Sequence, residues 1–136
     1  MDKILIVEDD MKLQKFLQTR LQKHKEEFEV ILAYNGEETI KILEQKYISL
    51  LVTDIQMPKV DGLEVLKKIK STPDLKQLPV IMLTTSTASA DIDHCYDLGC
   101  NIYIVKPIEY ENFSDALRKV GFFFSVIEAP NAAEAM

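Results

Sequence analysis

In Ile4-Leu5-Ile6-Val7-Glu8-Asp9-Asp10, four consecutive apolar residues, three of them β-branched, run directly into three carboxylates. A half-exposed strand would alternate apolar with polar residues, so an uninterrupted run reads as a strand buried on both faces of a parallel sheet. Beyond it, Leu13, Phe16, Leu17 and Leu21 recur at helical spacing with Lys12, Lys15, Arg20 and Lys23 between them. That pattern is an amphipathic helix.

The same strand-helix alternation continues outward. Phe28 to Ala33 reads as a strand, and Asn35-Gly36-Glu37-Glu38 supplies an N-cap and an acidic first turn before Ile40 and Leu43. Leu50-Leu51-Val52 is a third strand closed by Thr53-Asp54; Met57-Pro58 breaks the chain, and Asp61 with Glu64 repeats the capping pattern ahead of Leu63, Leu66 and Ile69. Val80 to Leu83 is a fourth strand, followed by polar Thr84 to Ser89 and a helix that stops at Leu98-Gly99, where glycine takes the left-handed C′ position. Ile102 to Val105 is a fifth strand. Past Lys106-Pro107, the stripe Tyr110, Phe113, Leu117, Val120 and Phe124 predicts a long last helix. Short connections between alternating strands and helices imply an α/β, doubly wound parallel sheet with helices on both faces.

Size and charge narrow the function classes. The 136 residues, 47% hydrophobic, suit one core, and a formal charge of −6 disfavours direct contact with nucleic acid, whose phosphates call for Lys/Arg surfaces. No segment approaches the roughly 20 apolar residues that span a bilayer, and no basic-then-apolar leader opens the chain. A cytoplasmic protein without membrane association is expected. Cys95 and Cys100 are too few for a disulfide framework and have no companion ligands for zinc, so they read as structural thiols.

In a parallel sheet, sites lie beyond the carboxyl ends of the strands. The first strand ends in Glu8-Asp9 and the third in Asp54, so carboxylates converge on one rim, where each pair at 4 Å would repel by roughly 4 kcal/mol at a dielectric near 20. A hard divalent cation, Mg²⁺ or Mn²⁺, is the expected counter-ion for oxygen-only ligands. Lys106 after the fifth strand brings an ammonium to the same rim, and Thr84 after the fourth brings a hydroxyl. Nucleophilic carboxylate, cation, ammonium and hydroxyl are the parts that in-line phosphoryl transfer uses, with Asp54 central in the set.

Val7-Glu8-Asp9-Asp10, Asp54-Ile55-Gln56-Met57-Pro58 with Asp61-Gly62, Leu83-Thr84 and Val105-Lys106-Pro107 occur in the order and spacing of a known family. From about Lys3 to Val120 the chain resembles the CheY-like receiver domains of two-component response regulators. The resemblance implies a flavodoxin-like (βα)5 fold with strand order 2-1-3-4-5. It implies that Asp54 is the phosphoacceptor, that Asp9, Asp54 and the backbone carbonyl of Gln56 bind the metal, and that Glu8 reaches it through water. Thr84 and Lys106 would hold phosphoryl oxygens, the Lys106–Pro107 peptide would be cis, and Thr84 with Tyr103 would form the conformational switch. The implied partners are a histidine kinase or histidine phosphotransfer protein and a downstream target protein, the latter reading the fourth helix, fifth strand and fifth helix. Gln56 and Ser86 occupy positions that tune the acyl-phosphate lifetime in relatives. Leu83-Thr84-Thr85-Ser86-Thr87, Tyr96-Asp97-Leu98-Gly99-Cys100-Asn101 and Phe122-Phe123-Phe124 further resemble stand-alone receivers associated with phytochrome-type histidine kinases, some of which form homodimers through the end carrying the last helix.

Plainer readings stand beside these. Glu8-Asp9-Asp10 alone would be a solvated helix start, Asp10 a helix cap, Thr84 a strand-end hydroxyl, Lys106 a surface lysine and Tyr103 a packed aromatic. His24 and His94 read as solvated. A haloacid-dehalogenase-type phosphatase would want a second acid where Gln56 stands, and a flavin carrier would want a phosphate-binding loop where Glu8-Asp9-Asp10 would repel the phosphate. A receiver that no longer takes phosphate would lack part of the site set. The expected organisation is a receiver over residues 1–127 and a tail over 128–136, with no output module legible, so the effect is expected to pass through another protein. Whether the chain is complete or cut from a longer regulator stays open.

Overall fold

The computed structural model describes residues 2–8, 10–21, 28–57, 59–106, 111, 112 and 115. Asp9, Pro58, Pro107 and most of the expected last helix and tail lie outside the described residues, and with them the expected cis peptide and the triple-phenylalanine run. The described chain alternates β1 (Asp2–Val7), α1 (Met11–Leu21), β2 (Phe28–Ala33), α2 (Gly36–Gln45), β3 (Leu50–Asp54), α3 (Gly62–Lys70), β4 (Val80–Thr84), α4 (Ser89–Asp97) and β5 (Ile102–Val105). Helical backbone reappears at Glu111, Asn112 and Asp115, within the expected last helix.

All five strands are parallel and lie in the order β2-β1-β3-β4-β5. The central strands are where the continuous apolar runs sit, and every residue of β3 and β4 is buried. Side-chain alternation divides the core in two. Ile4, Ile6, Leu50, Val52, Ile81, Leu83 and Ile104 pack on one face with Leu17 of α1. Leu5, Val7, Leu51, Val80 and Met82 pack on the other with Leu43, Val65, Leu66, Ile69 and Cys95 of α2, α3 and α4. The expected doubly wound sheet is thus present.

β1 begins two residues earlier than its apolar run, because the backbones of Asp2 and Lys3 pair in register with Phe28 and Glu29. The caps follow the sequence. Asn35 accepts from the Glu38 N–H at 2.8 Å, Asp61 from the Glu64 N–H at 2.9 Å, and Asp10 from the Lys12 and Leu13 N–H groups at 2.9 and 3.2 Å. Asp10 is therefore a helix cap, as its position suggested. Gly99 ends α4 at φ 103°, the left-handed conformation expected of it.

Gln14 was not expected inside. It is buried in α1, and its amide donates to the Glu8 and Ala33 carbonyls at 3.2 and 3.4 Å, tying the ends of β1 and β2 to the helix. Cys95 and Cys100 are free and buried, and burial pushes the Cys100 thiol up to about 12. They behave as core residues. Among the described residues no helix is long and apolar enough to cross a membrane.

Candidate functional site

Strand parity decides which polar residues can meet. Continuing the α1-facing set of each strand by one step places Glu8 after Ile4 and Ile6, Asp54 after Leu50 and Val52, and Lys106 after Ile102 and Ile104. The same step on the other face places Thr84 after Val80 and Met82, in phase with Tyr103. β5 is two strands from β3, a lateral distance of about 10 Å, so only a long side chain leaving β5 can reach Asp54. Lysine meets that requirement.

Lys106 Nζ lies 2.7 Å from Asp54 Oδ2 and 2.7 Å from Glu8 Oε1. One ammonium thus bridges two carboxylates, of which Glu8 is fully buried and Asp54 is 6% exposed. The contact with Asp54 is an aligned hydrogen bond; that with Glu8 is an ion pair outside hydrogen-bond alignment, which leaves Oε1 a buried oxygen without an aligned donor. Glu8 Oε2 accepts from the Asp10 N–H at 2.9 Å, and Asp54 Oδ1 from the Gln56 N–H at 3.2 Å.

Burial pushes the Glu8 carboxyl above its ordinary range, against the pull of Lys106 and the Asp10 N–H, and the charge on Asp54 adds to the rise. For Lys106, burial acts downward, but the hydrogen bond with Asp54 and the contact with Glu8 outweigh it and hold the ammonium above its ordinary range. Both directions describe a compact charged cluster with one negative charge in excess.

α3 is pressed against the end of β3. The Gly62 N–H donates to the Ile55 carbonyl at 2.8 Å, and a Cβ at Gly62 would fall 2.2 Å from the Asp54 carbonyl oxygen, so only glycine allows this approach. Lys59, between them, holds φ 68°, a left-handed conformation uncommon outside glycine and asparagine.

The chemistry of the donors fits a hard cation. Glu8 and Asp54 offer only oxygens, the cluster carries excess negative charge, and Glu8 Oε1 lacks an aligned donor. Among the described residues no group of three or more His, Cys, Asp or Glu side chains comes together, and Asp9, the other expected carboxylate ligand, is outside them. Glu8 is paired with Lys106 and the Asp10 N–H.

Thr84 and Tyr103 are brought together on the other face. Thr84 Oγ1 accepts from the Ser86 N–H at 3.1 Å, and the Tyr103 hydroxyl donates to the Ser86 carbonyl at 2.8 Å. Ser86, which the family resemblance marks as a position tuning the acyl-phosphate lifetime, also donates from Oγ to Asp91 Oδ2 at 2.6 Å.

The sequence profile described as "response regulator receiver domain" matches residues 4–118. The chain belongs to the response regulator receiver domains. Such domains are phosphoacceptor modules of two-component signalling, regulatory rather than metabolic. This receiver is 36% identical over 119 residues to the "probable transcriptional regulator ycf27" of Porphyra purpurea, covering 88% of this chain and 47% of that protein. It thus spans about half the length of the curated relatives it matches. Among solved structures, the receiver is similar to the bacteriophytochrome response regulator RtBRR at 33% identity and a TM-score of 0.79, covering 89% of this chain and 78% of that one. It is also similar to the Mn²⁺-bound response regulator Rcp1 at 33% identity and a TM-score of 0.74, covering 82% and 86% of the two chains.

Proposed function

We propose that this receiver is a phosphoacceptor switch in which Asp54 takes a phosphoryl group from the phosphohistidine of a histidine kinase or histidine phosphotransfer protein. The observation that carries the proposal is the buried Asp54 carboxylate joined at 2.7 Å to an ammonium that also holds Glu8. A carboxylate oxygen of Asp54 attacks phosphorus, the P–N bond of the donor breaks, and the imidazole leaves with its electron pair. Lys106 then shares its charge with a phosphoryl oxygen, and the Thr84 hydroxyl donates to another. Attack by water later releases phosphate and returns the carboxylate, so the protein turns over no other substrate. Mg²⁺ or Mn²⁺, held by Asp54, Asp9, the Gln56 backbone carbonyl and, through water, Glu8, supplies charge neutralisation of the phosphoryl group when bound.

The reading extends to the output. Tyr103 turning inward as Thr84 moves toward the phosphoryl group would reshape the fourth helix, fifth strand and fifth helix for a downstream target protein, a shift between two populations rather than a new fold. A receiver over residues 1–127 with a tail to 136, a cytoplasmic location and a homodimer through the C-terminal end belong to the same proposal. The similarity to RtBRR supports a donor of the phytochrome-kinase type.

Intact mass tests it. Incubated with acetyl phosphate and Mg²⁺, the wild type should gain about 80 Da, while Asp54→Asn and an EDTA-treated sample should not. No gain in any sample would remove the chemical basis of the switch and leave a phosphate-independent scaffold.

A further inference from the structure

The chain between β3 and α3 is tied at its ends and pressed by two helices. The Ile55 N–H donates to the Leu83 carbonyl at 3.0 Å, and the Gly62 N–H closes the loop onto the Ile55 carbonyl at 2.8 Å. α3 presses on this stretch at Gly62, and α2 presses on it at Gly36, where a Cβ would land on the Val60 carbonyl oxygen and 2.8 Å from Val60 Cβ. Gly36 is the first residue of α2, is buried, and does not have the left-handed φ of Gly99. Its backbone would accept alanine, and a helix favours alanine over glycine. The approach of Val60 is what calls for glycine here.

We propose that Gly36 is a positioning residue for the metal site, seating α2 against Val60 so that the loop presents the Gln56 carbonyl beside Asp54. The proposal rests on the metal reading above. A side-chain ligand can be re-aimed by a change of rotamer, but a backbone carbonyl points where its loop points. Gln56 lies in the same loop as Val60, and its N–H already donates to Asp54 Oδ1 at 3.2 Å. Lys59, next to Val60, holds φ 68°, so the loop is already turned through a conformation that few side chains adopt. A methyl group at Gly36 must push the Val60 carbonyl away, and with the ends tied the displacement is taken up inside the loop that carries Gln56. Helix α2, which offers no ligand, thereby sets the aim of one.

The test is a titration of the intact chain with Mn²⁺ alone, free Mn²⁺ being read by electron paramagnetic resonance, for wild type, Gly36→Ala, Gly99→Ala and Asp54→Asn. The metal-free variants are compared by the NMR position of the Gln56 amide and by urea unfolding. Gly36→Ala should bind Mn²⁺ roughly tenfold more weakly and should displace the Gln56 amide signal before any metal is added. Gly99→Ala strains a left-handed glycine before β5, at the opposite edge of the sheet, so it should lower the urea midpoint while leaving Mn²⁺ affinity within about twofold of wild type. That control separates aim from stability. Should Gly36→Ala fail to fold, Asn35→Ala decides in its place: it removes the acceptor that fixes the Glu38 N–H at 2.8 Å, loosens the start of α2 without adding an atom, and should weaken Mn²⁺ at least threefold. Affinity within about twofold of wild type in the deciding variant, or a weakening with the Gln56 amide unmoved, would overturn the proposal. If that happens while Asp54→Asn does weaken Mn²⁺, the metal reading stands without Gly36. If wild type takes up no Mn²⁺, or Asp54→Asn binds it as tightly, the metal reading falls and the role of Gly36 with it.

Discussion

Replacing Lys106 with methionine removes the one ammonium between two buried carboxylates while keeping most of the stem's volume. Glu8 Oε1 and Asp54 Oδ2 each lie 2.7 Å from Nζ, so they are separated by at most twice that distance, about 5.4 Å. At an effective dielectric near 20, two such charges repel by at least roughly 3 kcal/mol, and the mutual attraction to Lys106 is lost as well. Breaking a buried pair from one side costs about 3–5 kcal/mol, so urea unfolding at pH 7 in EDTA should show a loss in that range for Lys106→Met. Adding Glu8→Gln should restore most of it. The sign with pH follows from the shifts. Lys106 is held above its ordinary range, so the wild-type advantage is present below that range and disappears as pH rises through the raised value. At the acid end, Glu8 is raised by burial, so the gap between wild type and variant should close as pH falls through its titration. A loss under about 1 kcal/mol, or one that Glu8→Gln leaves unchanged, would show that the charges are solvated and that the cluster is not the compact, buried anionic site described above.

Other outcomes follow from single features. Millimolar Mg²⁺ should raise the urea midpoint of the wild type, EDTA should reverse it, and Asp54→Asn should weaken the response. Lys59→Asn should stabilise the protein by about 0.5–1 kcal/mol, because asparagine tolerates the left-handed backbone at φ 68°; a destabilisation in thermal melts would contradict that account. Cys95 and Cys100 should react with a thiol reagent only slowly in the folded protein and promptly in denaturant, since burial raises both thiols.

Much of the fold was legible because parallel strands buried on both faces leave an unmistakable run, as in Leu50-Leu51-Val52 and Val80 to Leu83. The caps at Asn35 and Asp61 were legible for a local reason: donor and acceptor lie three residues apart. What escaped depends on parity and distance across the sheet. Nothing in the linear order says that Lys106 would hold Glu8 as well as Asp54, because that requires knowing that three strands end in the same phase. Gln14 occupies a helix position next to the apolar stripe, and only the Glu8 and Ala33 carbonyls beneath it, to which its amide donates, explain its burial. Ser86 and Asp91 read as loop and helix-start residues, and their spacing carries no signal until the missing cap at Ala88 is seen.

The unbroken burial of β3 and β4 sets a mechanical contrast with the rim above them. Shifting those strands would mean opening the interior, a rare event limited by global unfolding, whereas Thr85 to Ser89 is held by a handful of bonds that are exposed or only part-buried. The molecule is a stiff anvil with a soft edge. Under the proposed function, a charge arriving at Asp54 would find nothing beneath it that can yield, and the work of accommodating it would be delivered sideways, into the loop that leads to α4. Amide exchange should display this as a sharp step: β4 protected to nearly the full stability of the domain, and the next five residues exchanging orders of magnitude faster.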